Sequence, residues 1–236
     1  MNILMLGDSY GVPDWPMVAE GTANGNHHLS RLLANAGHNV YNVSVNGSSN
    51  LQAIDRAESL LDGNTVCDLQ LASEEYTELT LQQDTNIDYI IWMCTSLLRD
   101  RDKVDATLLY SQLSELRHLT YNGINNILQK IPNAKLIAIG GAAPLDPFAL
   151  NSYLQVHYCV PDWRAELLAM KATDHLSSAV PSLLDLDVRA DNLSKHITLA
   201  EAVISNMQSS NLFPDGCHPG AEAHKDLYDR ISSILQ

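Results

Sequence analysis

Basic residues are scarce in this chain. Fourteen Lys and Arg stand against 28 Asp and Glu over 236 residues, for a formal net charge of −14. A field of that sign repels phosphate backbones and anionic headgroups, and no Lys/Arg cluster interrupts it. Nucleic acid and membrane surfaces are therefore not expected partners. Cysteine is sparse as well: Cys67, Cys94, Cys159 and Cys217 are scattered without the C-x-x-C spacing of zinc or redox sites. No run approaches the ~20 apolar residues of a membrane span. The N-terminal apolar stretch is too short, and lacks the basic leader, for a signal peptide. Repeats and low-complexity tracts are missing too. The expectation is a cytoplasmic, reduced protein. Its composition, 45% hydrophobic and 18% charged, is that of a soluble globular chain, and its length suits a single domain over residues 1–236.

The apolar patterning alternates between two periods. Residues 2–6, "HNVYNVSV", "IDYIIWMC" and "AKLIAIGG" read as strands, the third apolar almost throughout, as in a parallel sheet covered on both faces. "HHLSRLLANAG" and "NLQAIDRAESLLDG" have helical spacing, with Gly37 and Gly63 as stops and Asn50 as N-cap of the second. A long helical pattern runs from Val104 to Lys130, and a final helix starts near Ala221 with His224, Leu227, Tyr228, Ile231 and Leu235 on one face. The acidic stretch 64–86 suggests a helix over 69–83. Residues 144–210 read as helix and loop, with a weak strand at 182–186. Strands alternating with helices argue an α/β sandwich with a mostly parallel sheet. Ligands in such sheets sit beyond the carboxyl ends of the strands, and Ser9, Gly47, Thr95 and Gly140-Gly141 follow four of them.

The first strand ends in "GDSYG", which matches the G-x-S-x-G elbow of α/β-hydrolases. Only eight residues precede this serine, too few for that fold's earlier strands. A serine needs an adjacent base to act as a nucleophile; alone, Asp8-Ser9 reads equally well as a turn or cap. "LFPDGCHPG" supplies the base. It places Asp215 three residues before His218 between two prolines, so Asp215 can fix the imidazole tautomer while the other nitrogen serves Ser9.

Gly7-Asp8-Ser9 after a first strand, a glycine after the second, and Asp-x-x-His before the last helix resemble the SGNH (GDSL) hydrolase family, in the family's order along the whole chain. The resemblance implies a flavodoxin-like three-layer α/β/α fold and ester hydrolysis through a serine acyl-enzyme; no cofactor is expected, and nothing in the residue spacing demands a metal. It casts Ser9 as nucleophile, His218 as general base and Asp215 as its orienter, with the backbone N–H groups of Ser9 and Gly47 in the oxyanion hole. The family's third donor is an asparagine in a Gly-x-Asn-Asp block after the third strand. Here "TSLLRD" follows that strand, with Thr95 at the block's glycine and Leu97 at its asparagine. Thr95 is the candidate substitute donor, with Ser96 and Asn50 next.

Other constellations carry less. His27-His28 read as surface residues at a helix start rather than ligands, and His224 as a core or interface residue. Cys217 beside His218 is badly placed for a thiol nucleophile, and Gly140-Gly141 is no phosphate cradle. Trp15, in the loop after Ser9, and Arg99, in the mixed-charge run 99–102, are candidate substrate contacts: an aromatic for a sugar ring or acyl group, a guanidinium for a carboxylate or sugar substituent. The expected activity is hydrolysis of a small acyl ester, with an O-acetylated carbohydrate as one substrate class. A non-catalytic binding or assembly protein on the same fold is the alternative. A flavodoxin-like nucleotide binder is disfavoured, because no phosphate loop is visible.

Overall fold

The structure, a computed structural model, describes residues 1–8, 11, 28–45, 47–69, 76–82, 84–97, 99–100, 109–141, 144–163, 166–167 and 219–235. Along them run β1 (Asn2–Leu6), α1 (Leu29–Asn35), β2 (Asn39–Asn42), α2 (Asn50–Leu61), β3 (Val66–Leu69), β4 (Tyr76–Leu79), β5 (Tyr89–Cys94), α3 (Leu109–Lys130), β6 (Lys135–Gly140), α4 (Pro147–Tyr153) and β7 (Val156–Val160). The last helix is Ala221–Ser232, here α5.

Five strands form one sheet in the order β2-β1-β5-β6-β7, and every pairing in it is parallel. Ranked within that sheet, the order is 2-1-3-4-5, the flavodoxin-like winding. Alternation along the central strands splits the core in two. Ile3 and Met5 of β1, Ile91 and Met93 of β5, and Ile137 and Ile139 of β6 pack with α1 and α5. Leu4, Leu6, Ile90, Trp92, Leu136 and Ala138 face the other way, toward α2, α3 and α4. All six residues of β5 are buried, as its unbroken apolar run requires of a strand covered on both faces. The three-layer α/β/α sandwich is thus observed.

Three local expectations are corrected. The stretch read as a helix over 69–83 holds part of a hairpin, with β3 and β4 antiparallel in a separate two-stranded sheet. β7 is a fifth sheet strand where helix and loop were expected. It lies at the sheet edge, only partly buried, and shows little of the apolar density that marks β1 or β5. Ser49, not Asn50, caps α2: its hydroxyl accepts from the Gln52 N–H, and the Gln52 side chain returns a bond to the Ser49 N–H. The strand expected at 182–186 lies outside the described residues. Among the described residues no helix is long and apolar enough to cross a membrane.

Candidate functional site at the switch point of the sheet

The chain leaves β1 toward β2 on one side, while β5 takes up the other side, so the crevice between the carboxyl ends of β1 and β5 is the topological switch point. Two glycines bracket the corner after β1, each for want of room. A Cβ on Gly7 would lie 2.9 Å from both the Cβ and the carbonyl oxygen of Met93, so the ends of β1 and β5 approach as closely as they do only without one. A Cβ on Gly11 would fall 2.2 Å from the Ser44 Oγ. The Gly11 N–H donates to the Asp8 carbonyl at 2.9 Å, and the Gly11 carbonyl accepts from Asn42 Nδ2 at 2.7 Å. The corner is thereby tied to the end of β2.

Asp8 itself has no exposed surface. A carboxylate so placed requires partners, and Thr95 and Arg99 are among them. Thr95, the first residue after β5, donates its hydroxyl to Asp8 Oδ2 at 2.8 Å. Arg99 Nη1 lies 3.0 Å from the same oxygen. Nη1 also donates to the Ser48 carbonyl at 3.2 Å. Asn50, buried at the first turn of α2, treats the Thr95 peptide as a strand neighbour would. Its Oδ1 accepts from the Thr95 N–H at 3.0 Å, and its Nδ2 donates to the Thr95 carbonyl at 2.8 Å. Below them lies the Cys94 thiol, whose pKa is pushed up by burial and then by the Asp8 carboxylate. Cys94 is the buried thiol its apolar context suggested, and with Cys159 it is unbridged.

The loop after β2 closes on the same corner. Val45 N–H and Ser48 Oγ both donate to the Gly7 carbonyl, at 3.3 and 2.9 Å. The Ser48 N–H reaches back to the Val45 carbonyl at 3.1 Å, closing a turn that holds Gly47 at φ +72, the left-handed value its third position favours glycine for. Gly47, Ser48 and Val45 also line an open depression of about 540 Å³ with Gln52, Asp55 and Arg56 of α2.

Of the residues expected to do chemistry, Gly47, Thr95 and Arg99 therefore converge on one corner, next in the chain to Ser9. Ser9, Trp15, Asp215 and His218 lie outside the described residues. The Thr95 hydroxyl, expected as an oxyanion donor, has one hydrogen to give; it goes to Asp8, and Thr95 is fully buried. Arg99 and Asp100 do not form a solvated charge run either, since Arg99 pairs with Asp8 and Asp100 is buried. The part of Asp8, Asn50 and Ser48 in joining three loops went unseen in the sequence. Their partners are 41 to 87 positions away, and only the mapping of loops to strand ends hints at them.

A second buried polar cluster sits under α1 and α5. His28, expected on the surface, is buried and caps α1: its Nδ1 accepts from the Ser30 N–H at 3.1 Å. Its ring stands 4.2 Å from that of His224, tilted by 54°, and the Trp163 ring lies 5.6 Å from His224 on another side. Burial, and then the neighbouring His28, hold the His224 pKa well below the ordinary histidine value. Among the described residues no group of three or more His, Cys, Asp or Glu is arranged to hold a metal.

Fold and corner together define a doubly wound, flavodoxin-like α/β protein with a buried aspartate and its partners set at the switch point. No family model matches the chain, and neither does any curated protein. Solved structures are similar to it at low identity. TesA is 12% identical with a TM-score of 0.44, over 100% of this chain and 98% of its own. The psychrotrophic esterase EstA from Pseudoalteromonas sp. is 13% identical with a TM-score of 0.47, over 99% and 96%. A carbohydrate esterase described as having divergent catalytic and non-catalytic binding functions is 12% identical with a TM-score of 0.49, over 100% of this chain and 64% of its own.

Proposed function

We propose that the protein is a serine esterase that hydrolyses a small acyl ester through an acyl-enzyme. In this reading Ser9 is the nucleophile, His218 the general base and Asp215 the residue that orients it. Neutral His218 takes the Ser9 proton as the Oγ attacks the ester carbonyl, then returns it to the departing alcohol. Water repeats the sequence on the acyl-enzyme. The backbone N–H groups of Ser9 and Gly47 receive the charge that develops on the carbonyl oxygen. Alcohol groups of a carbohydrate suit the polar, acidic chain better than a lipid would, and Trp15 is proposed to stack on the sugar ring or acyl group. Thus an O-acetylated carbohydrate is the proposed substrate class.

One observation supports the reading above others. The loop bearing Gly47 is bonded to the Gly7 carbonyl, and the Asp8 side chain is bonded across the switch point to Thr95 and Arg99. The residues flanking Ser9 and Gly47 in the chain are thus held together at the edge where such sheets bind ligands. Labelling with a fluorophosphonate, alongside hydrolysis of an aryl acetate, tests it. Wild type is expected to label at Ser9 and to turn over. Ser9→Ala and His218→Ala should each lose activity by similar large factors, with the double variant little worse. Absence of labelling and turnover would favour a non-catalytic binding protein on the same fold.

A further inference from the structure

We infer that Arg99 is the side-chain donor of the oxyanion hole, standing where "TSLLRD" has no asparagine to offer. The inference rests on the esterase reading of Ser9 and adds a catalytic residue to it.

Place comes first. Arg99 follows β5, the third strand of the parallel sheet in chain order, in the loop that borders the switch point. Its Nη1 stands 3.0 Å from Asp8 Oδ2 and 3.2 Å from the Ser48 carbonyl oxygen. Asp8 precedes Ser9, and Ser48 follows Gly47, so the guanidinium bridges the neighbours of the two residues whose N–H groups serve as backbone donors in that reading. Capacity comes second. A guanidinium carries five N–H donors in a rigid planar fork. Both of these contacts use Nη1, which has two; Nη2 and Nε carry three more. Exposure comes third. The Asp8 side chain is wholly buried, whereas 36% of the Arg99 side chain is open. Its Nη1 is anchored on a buried carboxylate, while the side chain as a whole stays partly open. A donor held in this way needs no reorganisation when charge appears.

The chemistry needs such a donor for only part of the cycle. As the bond from Ser9 Oγ to the carbonyl carbon forms, the Oγ proton passes to His218 and the carbonyl π pair moves onto oxygen. Arg99 donates to that oxygen while it is charged. The pair then returns, the bond to the alcohol oxygen breaks, and that oxygen takes the proton from His218. A plain counter-ion for Asp8 would do none of this, and a lysine could replace it. A lysine ammonium keeps the charge but lacks the fork.

The test compares wild type, Ser9→Ala, Arg99→Lys and the doubly neutralised Asp8→Asn/Arg99→Met on an aryl acetate, with thermal melts and rates of fluorophosphonate inactivation. Wild type should turn over and Ser9→Ala should not. Arg99→Lys is expected to melt near wild type, yet to lose about a hundred- to a thousandfold in kcat with little change in KM. Its inactivation rate should fall in step, because the phosphonyl oxygen takes the same position. The double variant removes the buried charge with its partner, so it reports even where a single change fails to fold; it should show the same loss in kcat. Wild-type kcat in a folded Arg99 variant overturns the inference while leaving the esterase reading intact. A rise in KM alone also overturns it, assigning Arg99 to substrate binding. A wild type with neither turnover nor labelling at Ser9 overturns both.

Discussion

Two buried polar clusters among the described residues meet the cost of burial in opposite ways. At the switch point, Asp8 is wholly buried beside a cation and a hydroxyl donor, with Asn50 bonded to the backbone beneath. Under α1 and α5, the rings of His28 and His224 meet at a tilt; among the described residues Nδ1 of His224 has no hydrogen-bond partner, and its pKa is depressed by burial. A buried group must either be paired or give up its charge. Directional pairing fixes three loops relative to one another, which suits a site. A tilted contact between rings, one of them disfavoured as a cation by burial, fills space between helices and needs little geometry. The first cluster belongs to positioning and the second to packing.

Removing one member from each cluster separates these descriptions most sharply. Arg99→Met leaves the Asp8 carboxylate buried without its cation, the Thr95 hydroxyl still donating to it. Breaking such a pair costs about 3–5 kcal/mol when it is deeply buried; with Arg99 partly open, the lower end of that range is expected in urea denaturation. Asp8→Asn in the same chain should recover most of the loss. His224→Leu, by contrast, replaces a ring whose Nδ1 has no partner among the described residues, and should change stability by no more than about 1 kcal/mol. Equal losses at both places would erase the distinction.

Asn50 is the next largest lever. Asn50→Ala leaves both the Thr95 N–H and its carbonyl without the carboxamide in a buried setting. An unsatisfied buried group costs about 1–3 kcal/mol, so the pair together should remove roughly 2–4 kcal/mol. Hydrogen exchange should show lost protection at Thr95 and at the first turn of α2. A variant as stable as wild type would mean that water replaces the side chain, and that the corner is looser than the positioning account requires.

What could be read in advance follows the reach of each interaction. β1, β5 and β6 announce themselves as short apolar runs, because both of their faces are covered. The winding follows from strands alternating with α1, α2 and α3, and the corner after β1 from its glycines. β7 did not, since an edge strand half open to solvent has no such run. Nor did the hairpin β3–β4, whose acidic surroundings resemble a solvated helix. Ser48, Ser49 and Asn50 are all residues that cap helices, and only three-dimensional demand separates them: Ser48 reaches Gly7, Ser49 caps, Asn50 reaches Thr95. Thr95 looked available as a donor because nothing local reveals Asp8, 87 positions earlier, as the acceptor of its only hydrogen.

Acid distinguishes the clusters a third way. The His224 pKa lies well below its unfolded value, so between the two the unfolded chain binds more protons. Stability from this source is present above the ordinary histidine range, near 6.5. It is lost as pH falls from there toward the folded pKa, with a slope of at most about 1.4 kcal/mol per pH unit for one proton. His38, also depressed, chiefly by burial, contributes in the same direction. Wild type should therefore lose stability between pH 7 and pH 5, and His224→Leu should lose measurably less. Parallel curves for the two proteins would remove His224 as the source.

The smallest effect tests what the histidine pair is for. His28 caps α1 through Nδ1 and presents its ring to His224 at 4.2 Å. α1 has only seven residues and no acidic residue in its first turn, so little else near its start offsets the exposed N–H groups. A cap of this kind is worth about 1 kcal/mol against alanine. His28→Asn should keep most of that, because a carboxamide oxygen can accept from the same Ser30 N–H, while removing the ring beside His224. His28→Ala loses both. If capping dominates, His28→Asn is nearly as stable as wild type at neutral pH and His28→Ala is about 1 kcal/mol weaker. His224 is then freed of the lesser of the two causes that depress it, so its titration in the His28→Asn variant should move up toward the ordinary value, with burial still holding it below. NMR titration of the His224 ring reads that shift directly. An unchanged His224 titration together with a destabilised His28→Asn would show that the ring contact, not the cap, keeps His28 in place.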